Sequence, residues 1–300
     1  MPLTGEVIYF ISDTHLGDGT GADRFRYPRQ LMELLARIES QPHAQLVLLG
    51  DIMELWACSL ESVLVRHAPF FQAVGRIAAT RPVIYVVGNH DCLPWYYFVG
   101  SSAGSLQMTE RFRAAGGNLV ALHGHQFDPF NRVTVALDGH VKVPWTRKLV
   151  EVVGFLGRIG GPKAGNAIDD LSDVVSRAAA SLEQLLPDWD AASRRNMRGL
   201  LKSAHGILQH ESPGERGYPS EERIYEEGAR ALLSTGTRFV ALGHTHHPLV
   251  RAFPEGVYVN TGCWVWDRYP PTYGRYADGR LELYEANTHQ PYRPPAAANK

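Results

Sequence analysis

The sequence predicts an α/β fold, and three observations carry the prediction. Apolar runs of a strand's length recur along the chain, each ending in Gly, Asn, Asp or His. Amphipathic helical patterns stand between them. The runs are apolar at successive positions rather than alternate ones, as in strands covered on both faces.

The first run, Val7–Ile11, is β-branched and aromatic and leads into Ser12-Asp13. A helix is expected next, where Leu31, Leu34, Leu35 and Ile38 share one face. The second run, Leu46–Leu49, leads to Gly50-Asp51, and the third, Val83–Val87, to Gly88-Asn89-His90-Asp91. The fourth, Leu119–Leu122, leads to His123-Gly124-His125, and the fifth, Phe239–Leu242, to Gly243-His244-Thr245-His246. Two further strands, Val257–Asn260 and Leu281–Tyr284, should close the β structure around a Gly- and Trp-rich turn.

Residues 129–236 depart from this alternation. Leu171, Val174, Val175, Ala178, Leu182, Leu185 and Leu186 keep a helical stripe, which predicts a helical insertion or cap within one domain spanning 1–300. Pro187, Pro213-Gly214 and Pro219-Ser220 divide it into several helices. Residues 142–163 carry a net charge of +4, with Leu149, Val150, Val153, Phe155, Leu156 and Ile159 among the basic side chains. Such a helix either packs its apolar face on the core or touches a membrane surface. Residues 287–300 hold Pro and Ala with little to bury, so a loose C-terminal tail is expected.

Composition narrows the function classes. Of 300 residues, 44% are hydrophobic and 20% charged, which suits a chain with a sizeable core. Thirty Lys and Arg oppose 31 Asp and Glu, and a net charge of −1 argues against a nucleic-acid coat. Cys58, Cys92 and Cys263 show no paired spacing, so neither a disulfide framework nor a structural zinc is expected, and a reducing compartment is. No stretch nears the ~20 apolar residues of a membrane span. No basic leader precedes Val7. A cytoplasmic location is therefore expected, with peripheral membrane contact through the insertion as the alternative.

The polar residues fall where chemistry is usually placed. Asp13, His15, Asp51, Asn89, His123, His244 and His246 all stand at or just past the C-terminal end of an expected strand, the edge at which open α/β sheets bind ligands. Alone, an Asp-x-His pair reads as a turn, and Asn89 and Asp91 as turn residues after Gly88. Seven lone-pair donors at one rim have the composition of a metal site, and imidazole with carboxylate suits Mn, Fe, Zn or Ni. The number of donors allows two divalent ions.

The blocks Asp13-x-His15, Gly50-Asp51-x-x-Glu54, Gly88-Asn89-His90-Asp91, His123-Gly124-His125 and Gly243-His244-Thr245-His246 closely resemble, in order, the five signature blocks of the calcineurin-like metallophosphoesterases. The resemblance implies a four-layer αββα sandwich that hydrolyses phosphoesters with two divalent ions, Mn foremost. It implies that Asp51 bridges the ions, that Asp13, His15 and His246 complete one site, and that Asn89, His123 and His244 complete the other. A hydroxide held between the metals would attack phosphorus in line. His90 would protonate the leaving oxygen, with Glu54 in the place of the residue that orients it.

Gly50-Asp51-Ile52-Met53-Glu54-Leu55-Trp56 is similar to a block of the UDP-2,3-diacylglucosamine diphosphatase-like branch, which implies a nucleotide-lipid pyrophosphate as substrate. The best-known members of that branch carry Arg where this chain has His90. Asp128, Asn131 and Arg132, just past the fourth block, are placed to face substrate. A phosphodiesterase is an alternative within the superfamily. So is a protein phosphatase, although such enzymes carry Arg where this chain has Leu55. A non-catalytic metal-binding scaffold is the alternative of another class. His125 and His247 read as neighbours of ligands, and His205 and His210 as surface residues of the insertion.

Overall fold

A computed structural model describes residues 6–20, 23–92, 105–128, 134–135, 141–142, 219–265 and 268–294. The elements in chain order are β1 (Val7–Ile11), α1 (Pro28–Glu39), β2 (Ala44–Leu49), α2 (Leu60–Arg66), α3 (Ala68–Ala78), β3 (Val83–Val86), β4 (Leu106–Thr109), β5 (Phe112–Ala114) and β6 (Leu119–Ala121). Then come β7 (Thr134–Val135), β8 (Val141–Lys142), α4 (Pro219–Leu233), β9 (Phe239–Leu242), β10 (Pro248–Phe253), β11 (Gly256–Thr261), β12 (Thr272–Ala277) and β13 (Arg280–Glu285).

Local chemistry sets these boundaries. Proline near the N-terminus starts both α1 and α3, where its missing N–H costs no helix bond. Ser59 caps α2 by accepting the Ser62 N–H. The buried residues of α1 are Leu31, Leu34, Leu35 and Ile38, the stripe that predicts it.

Two mixed sheets form. One has the order β13-β12-β1-β2-β3-β4, with β1 to β4 parallel and β12 and β13 joined antiparallel. The other has the order β10-β11-β9-β6-β5, parallel at its centre and antiparallel at both margins. Alternation along each strand then divides the side chains among three cores. Ile8, Phe10, Val47, Leu49, Ile84 and Val86 of the first sheet meet Phe112, Leu119, Ala121, Ala241 and Val259 of the second. On the outer face of the first sheet, Tyr9, Ile11, Leu46, Leu48 and Val83 pack with α1, α2 and α3. On the outer face of the second, Val120, Leu122, Val240, Leu242 and Tyr258 pack with Tyr225, Ala229 and Leu233 of α4. The layers are α, β, β, α. Near-continuous apolar runs are what such doubly covered strands require.

The chain divides into two compact units, Met1–Trp145 with Ile224–Lys300, and Thr146–Arg223. Most of the second unit, including the expected helical stripe from Leu171 to Leu186 and the basic segment 142–163 beyond Lys142, lies outside the described residues. From Tyr225 onward α4 belongs to the sandwich, because its buried side chains cover the second sheet. The tail expected from residue 287 is tied down at least to Tyr292, whose N–H donates to Leu283 and whose ring is buried in the inter-sheet core. Its aromatic ring supplies the apolar area that the Pro and Ala around it lack. Among the described residues no helix is long and apolar enough to cross a membrane.

Candidate metal centre

The site lies where parallel strands end. β1, β2 and β3 are neighbours in one sheet and deliver Asp13 and His15, Asp51, and Asn89 and His90. β6 and β9 are neighbours in the other and deliver His123, and His244 and His246. The turns are held to one another by main-chain bonds: Asp13 N–H donates to Gly50 C=O at 3.1 Å and His15 N–H to Asp51 C=O at 3.0 Å. Gly243 N–H donates to His123 C=O at 2.8 Å.

Close approach explains the glycines of the motif. A Cβ at Gly88 would overlap the carboxylate and backbone nitrogen of Asp51, and one at Gly243 would press on the Asp13 carboxylate and the Ser12 side chain. The functional side chains themselves sit on unusual backbone. Asp13, His15, Asp51, His244 and His246 have φ of 52°, 44°, 52°, 72° and 61°, the left-handed region that L-residues seldom adopt. Such strain collects at functional sites.

Six of the seven residues expected as ligands fall into groups of converging atoms, and Asn89 stands one residue before His90, which joins one of them. Ligand atoms of Asp13, His15 and His246 lie within 4.8 Å of one another, as do those of Asp51, His123 and His244. A third such group joins His15, Asp51 and His90. Asp51 Oδ2 stands between the sets, 3.1 Å from His123 Nε2 and 3.9 Å from His15 Nε2. His246 Nε2 is 3.3 Å from Asp13 Oδ1 and 3.1 Å from His15 Nε2. Asn89 is buried, and its Oδ1 has no hydrogen-bond partner. A buried side-chain oxygen left unmet one residue from His90 is what a cation would satisfy, and the clustered carboxylate and imidazole atoms fit a metal.

Outer partners orient the rings. Glu54 Oε2 lies 2.9 Å from His15 Nδ1, and Leu49 C=O 2.8 Å from His123 Nδ1, which leaves the Nε2 edge of both rings to the centre. Asp128 Oδ2 lies 3.1 Å from His244 Nε2 and takes a longer bond of 3.4 Å from the Tyr225 hydroxyl. Asp128 is thus placed against His244, while Asn131 and Arg132 lie outside the described residues. His125 is buried beside His123, and His247 packs against Tyr269. His205 and His210 lie outside the described residues.

His90 is gripped on two sides. Both Glu54 oxygens reach its Nδ1, at 2.8 and 2.9 Å, and the Trp56 indole stacks on its face at 3.8 Å with 12° between planes. Trp56 Nε1–H donates to Asn89 C=O at 2.8 Å, and His90 N–H to Asp51 Oδ1 at 2.8 Å. With 21% of its side chain exposed, it is more open than His15 at 5% or His123 at 0%, so an incoming ligand can reach it. Beneath lies Asp91, which accepts from Ile52 N–H at 2.7 Å, Gly88 N–H at 2.8 Å and the Tyr85 hydroxyl at 2.6 Å. The stack of Trp56, the Glu54–His15 contact and the Asp91 knot are features that sequence motifs do not announce.

The electrostatics belong to a crowded cluster. Burial alone would raise the Asp13 and Asp51 carboxyls, but His123 and the other imidazoles hold both below the ordinary range. Burial would lower His123 and His246, yet Asp51 and Asp13 push His123 up to about 9, and Asp13 with Cys263 pushes His246 up to about 10. Burial likewise opposes the charged form of His90, and Asp51 and Glu54 outweigh it, so its pKa is raised. Burial dominates at His15 and His244, which are lowered.

A family model described as calcineurin-like phosphoesterase matches residues 7–248. The chain belongs to that family. A calcineurin-like phosphoesterase is a metal-dependent phosphoester hydrolase, and the two groups of convergent ligand atoms give this one the means to bind the metal. No curated protein sequence matches the chain. Among solved structures, it is similar to the phosphoesterase Yfce of E. coli, at 14% identity over 96% of this chain and 97% of that one, with a TM-score of 0.43. A dimetal phosphatase of Danio rerio is similar at 13% identity over 95% and 96%, with a TM-score of 0.43. Vps29 of Entamoeba histolytica, complexed with zinc, is similar at 14% identity over 93% and 91%, with a TM-score of 0.39.

Proposed function

We propose that this calcineurin-like phosphoesterase is a dinuclear enzyme in which Asp51 bridges two divalent ions and His90 is the general acid. The observation that carries the reading is the position of Asp51 between the Asp13/His15/His246 set and the His123/His244 set, with His90 hydrogen-bonded to the same carboxylate. Asn89 completes the second set through its unpartnered Oδ1. Two such ions, when bound, supply Lewis-acid charge for an in-line displacement at phosphorus and make hydroxide available at neutral pH. Mn²⁺ is the first choice for the donor set, with Fe, Zn and Ni also suited.

The protein's own groups handle the leaving oxygen. Glu54 fixes the Nδ1 edge of His90 and so directs its Nε2–H outward. The raised pKa favours the protonated ring, and transfer of that proton to the departing oxygen returns the ring to its neutral form. Trp56 blocks one face and restricts rotation. As substrate we propose a nucleotide-lipid pyrophosphate of the UDP-2,3-diacylglucosamine type, on the likeness of the Gly50–Trp56 block; a simpler phosphodiester is the second reading, favoured by His90 at the position where that branch carries Arg. Peripheral membrane contact through the basic segment 142–163 would suit the lipid substrate.

The test pairs a leaving-group series with a substrate panel in Mn²⁺. His90→Asn is expected to keep its metals and lose about 10²–10⁴-fold in turnover of esters with poor leaving groups, and far less with p-nitrophenolate. Full activity of that variant on a poor leaving group would end the acid assignment. Absence of any turnover in metal-replete, folded protein would favour the scaffold.

A further inference from the structure

We propose that Asp128 is the positioning residue of His244, holding the Nε2 edge of that ring so that Nδ1 is the nitrogen presented to the second cation. The inference rests on the dinuclear reading above and adds to it a residue outside the five sequence blocks.

His15, His123 and His244 each have an outer acceptor, and the edge that acceptor occupies differs. His15 and His123 are held at Nδ1, by Glu54 and by Leu49 C=O, and His123 Nε2 faces Asp51 Oδ2 at 3.1 Å. His244 is reversed: its Nε2 is the held atom, 3.1 Å from Asp128 Oδ2. A neutral imidazole has one N–H and one lone pair, so a carboxylate at one nitrogen assigns the lone pair to the other. His244 sits at φ 72°, with its N–H donated to Asp13 Oδ2 at 3.0 Å. Its ligand atom nevertheless falls within the group it forms with Asp51 and His123, and Asp128 takes no part in any of the three convergent groups. Asp128 is therefore placed as an outer carboxylate and not as a ligand.

The carboxylate is itself held. It follows the short turn His125–Phe127, and the Tyr225 hydroxyl of α4 reaches it at 3.4 Å while the Tyr225 ring lies 5.7 Å from that of His244. Removing Asp128 frees the ring to rotate and to adopt the wrong tautomer, and lost outer partners of metal-bound imidazoles cost 10–100-fold in affinity.

The experiment titrates metal-free protein with Mn²⁺ by calorimetry, comparing the unaltered chain with Asp128→Ala and Asp128→Asn. Asp128→Ala should weaken one of the two sites by about 10–100-fold and leave the other within about threefold. Asp128→Asn, which keeps an acceptor oxygen, should recover most of the loss. At saturating Mn²⁺ the KM for bis-p-nitrophenyl phosphate should be unchanged in both variants. Unchanged affinity at both sites in the two variants overturns the proposal. So does a raised KM with metal binding intact, which would make Asp128 a substrate contact. Failure of the unaltered chain to bind two ions would instead remove the dinuclear reading, and this assignment with it. Asp128→Asn preserves side-chain volume, so it decides the matter even if the alanine variant does not fold.

Discussion

Asp91→Ala is predicted to cost the metal-free protein about 2–6 kcal/mol of folding stability. The Asp91 carboxylate accepts three short bonds from buried donors, from Ile52, Gly88 and Tyr85 at 2.6 to 2.8 Å, and a long one of 3.5 Å from Met53 N–H that adds little. Each buried donor left unmet costs about 1–3 kcal/mol, so three reach about 3–9 kcal/mol. A water entering the vacated volume meets one of them, which leaves two unmet and brings the expected loss to about 2–6 kcal/mol. That is a large part of the 5–15 kcal/mol typical of a whole domain. Tyr85→Phe removes one donor and should cost about 1 kcal/mol alone. In the double variant one fewer donor is stranded, so its loss should fall short of the sum of the singles by about 1–2 kcal/mol. Urea unfolding in EDTA, followed by fluorescence and circular dichroism, measures all four proteins free of metal linkage. Strict additivity, or an Asp91→Ala variant as stable as the unaltered chain, would refute the three-donor account.

Metal loading should release protons. With His123 up to about 9 and His246 up to about 10, both rings are charged in the metal-free protein at pH 8, so about two protons leave on binding. Calorimetry in buffers of different ionisation enthalpy counts them, and a count of zero would contradict the shifts. Both folded values lie above the unfolded value of about 6.5, so this contribution to metal-free stability is full below that pH and disappears as pH rises through about 9 to 10. Asp51→Ala should empty both sites, as read by elemental analysis after dialysis; retention of one ion would remove the bridge. Trp56→Leu uncovers the face of His90 and frees Asn89 C=O, and should lower turnover of poor leaving groups by about 10-fold. An equal loss with p-nitrophenyl esters would show that Trp56 acts other than through His90.

Parts of this molecule are legible in the sequence for a physical reason. β1 and β9 coincide with the apolar runs that predict them, and α1 buries the four residues of its stripe, because doubly covered strands and amphipathic helices leave continuous patterns. β5, three residues long, and β4, which is incompletely buried at the sheet margin, leave none. The convergence of Asp13, Asp51, His123 and His244 can be expected from their common place at strand ends. The partner of a side chain cannot. Trp56 reaches His90 across a turn, Asp91 gathers donors from two loops and a strand, and Asp128 turns toward His244, and each depends on how the loops fold over one another. Helical patterning does not tell which surface a helix covers, and the packing of α4 on the second sheet is likewise a matter of tertiary contact.

The left-handed backbone at Asp13, His15, Asp51, His244 and His246 sets stability against catalysis at the same five positions. Glycine is at ease there, whereas each present residue bears about 1–3 kcal/mol of conformational cost. A library selected only for heat resistance, in chelator, would therefore be drawn toward glycine at these sites and would dismantle the centre while improving the scaffold. Thermostabilisation of this hydrolase should hold the five fixed and seek its gains elsewhere in the sandwich.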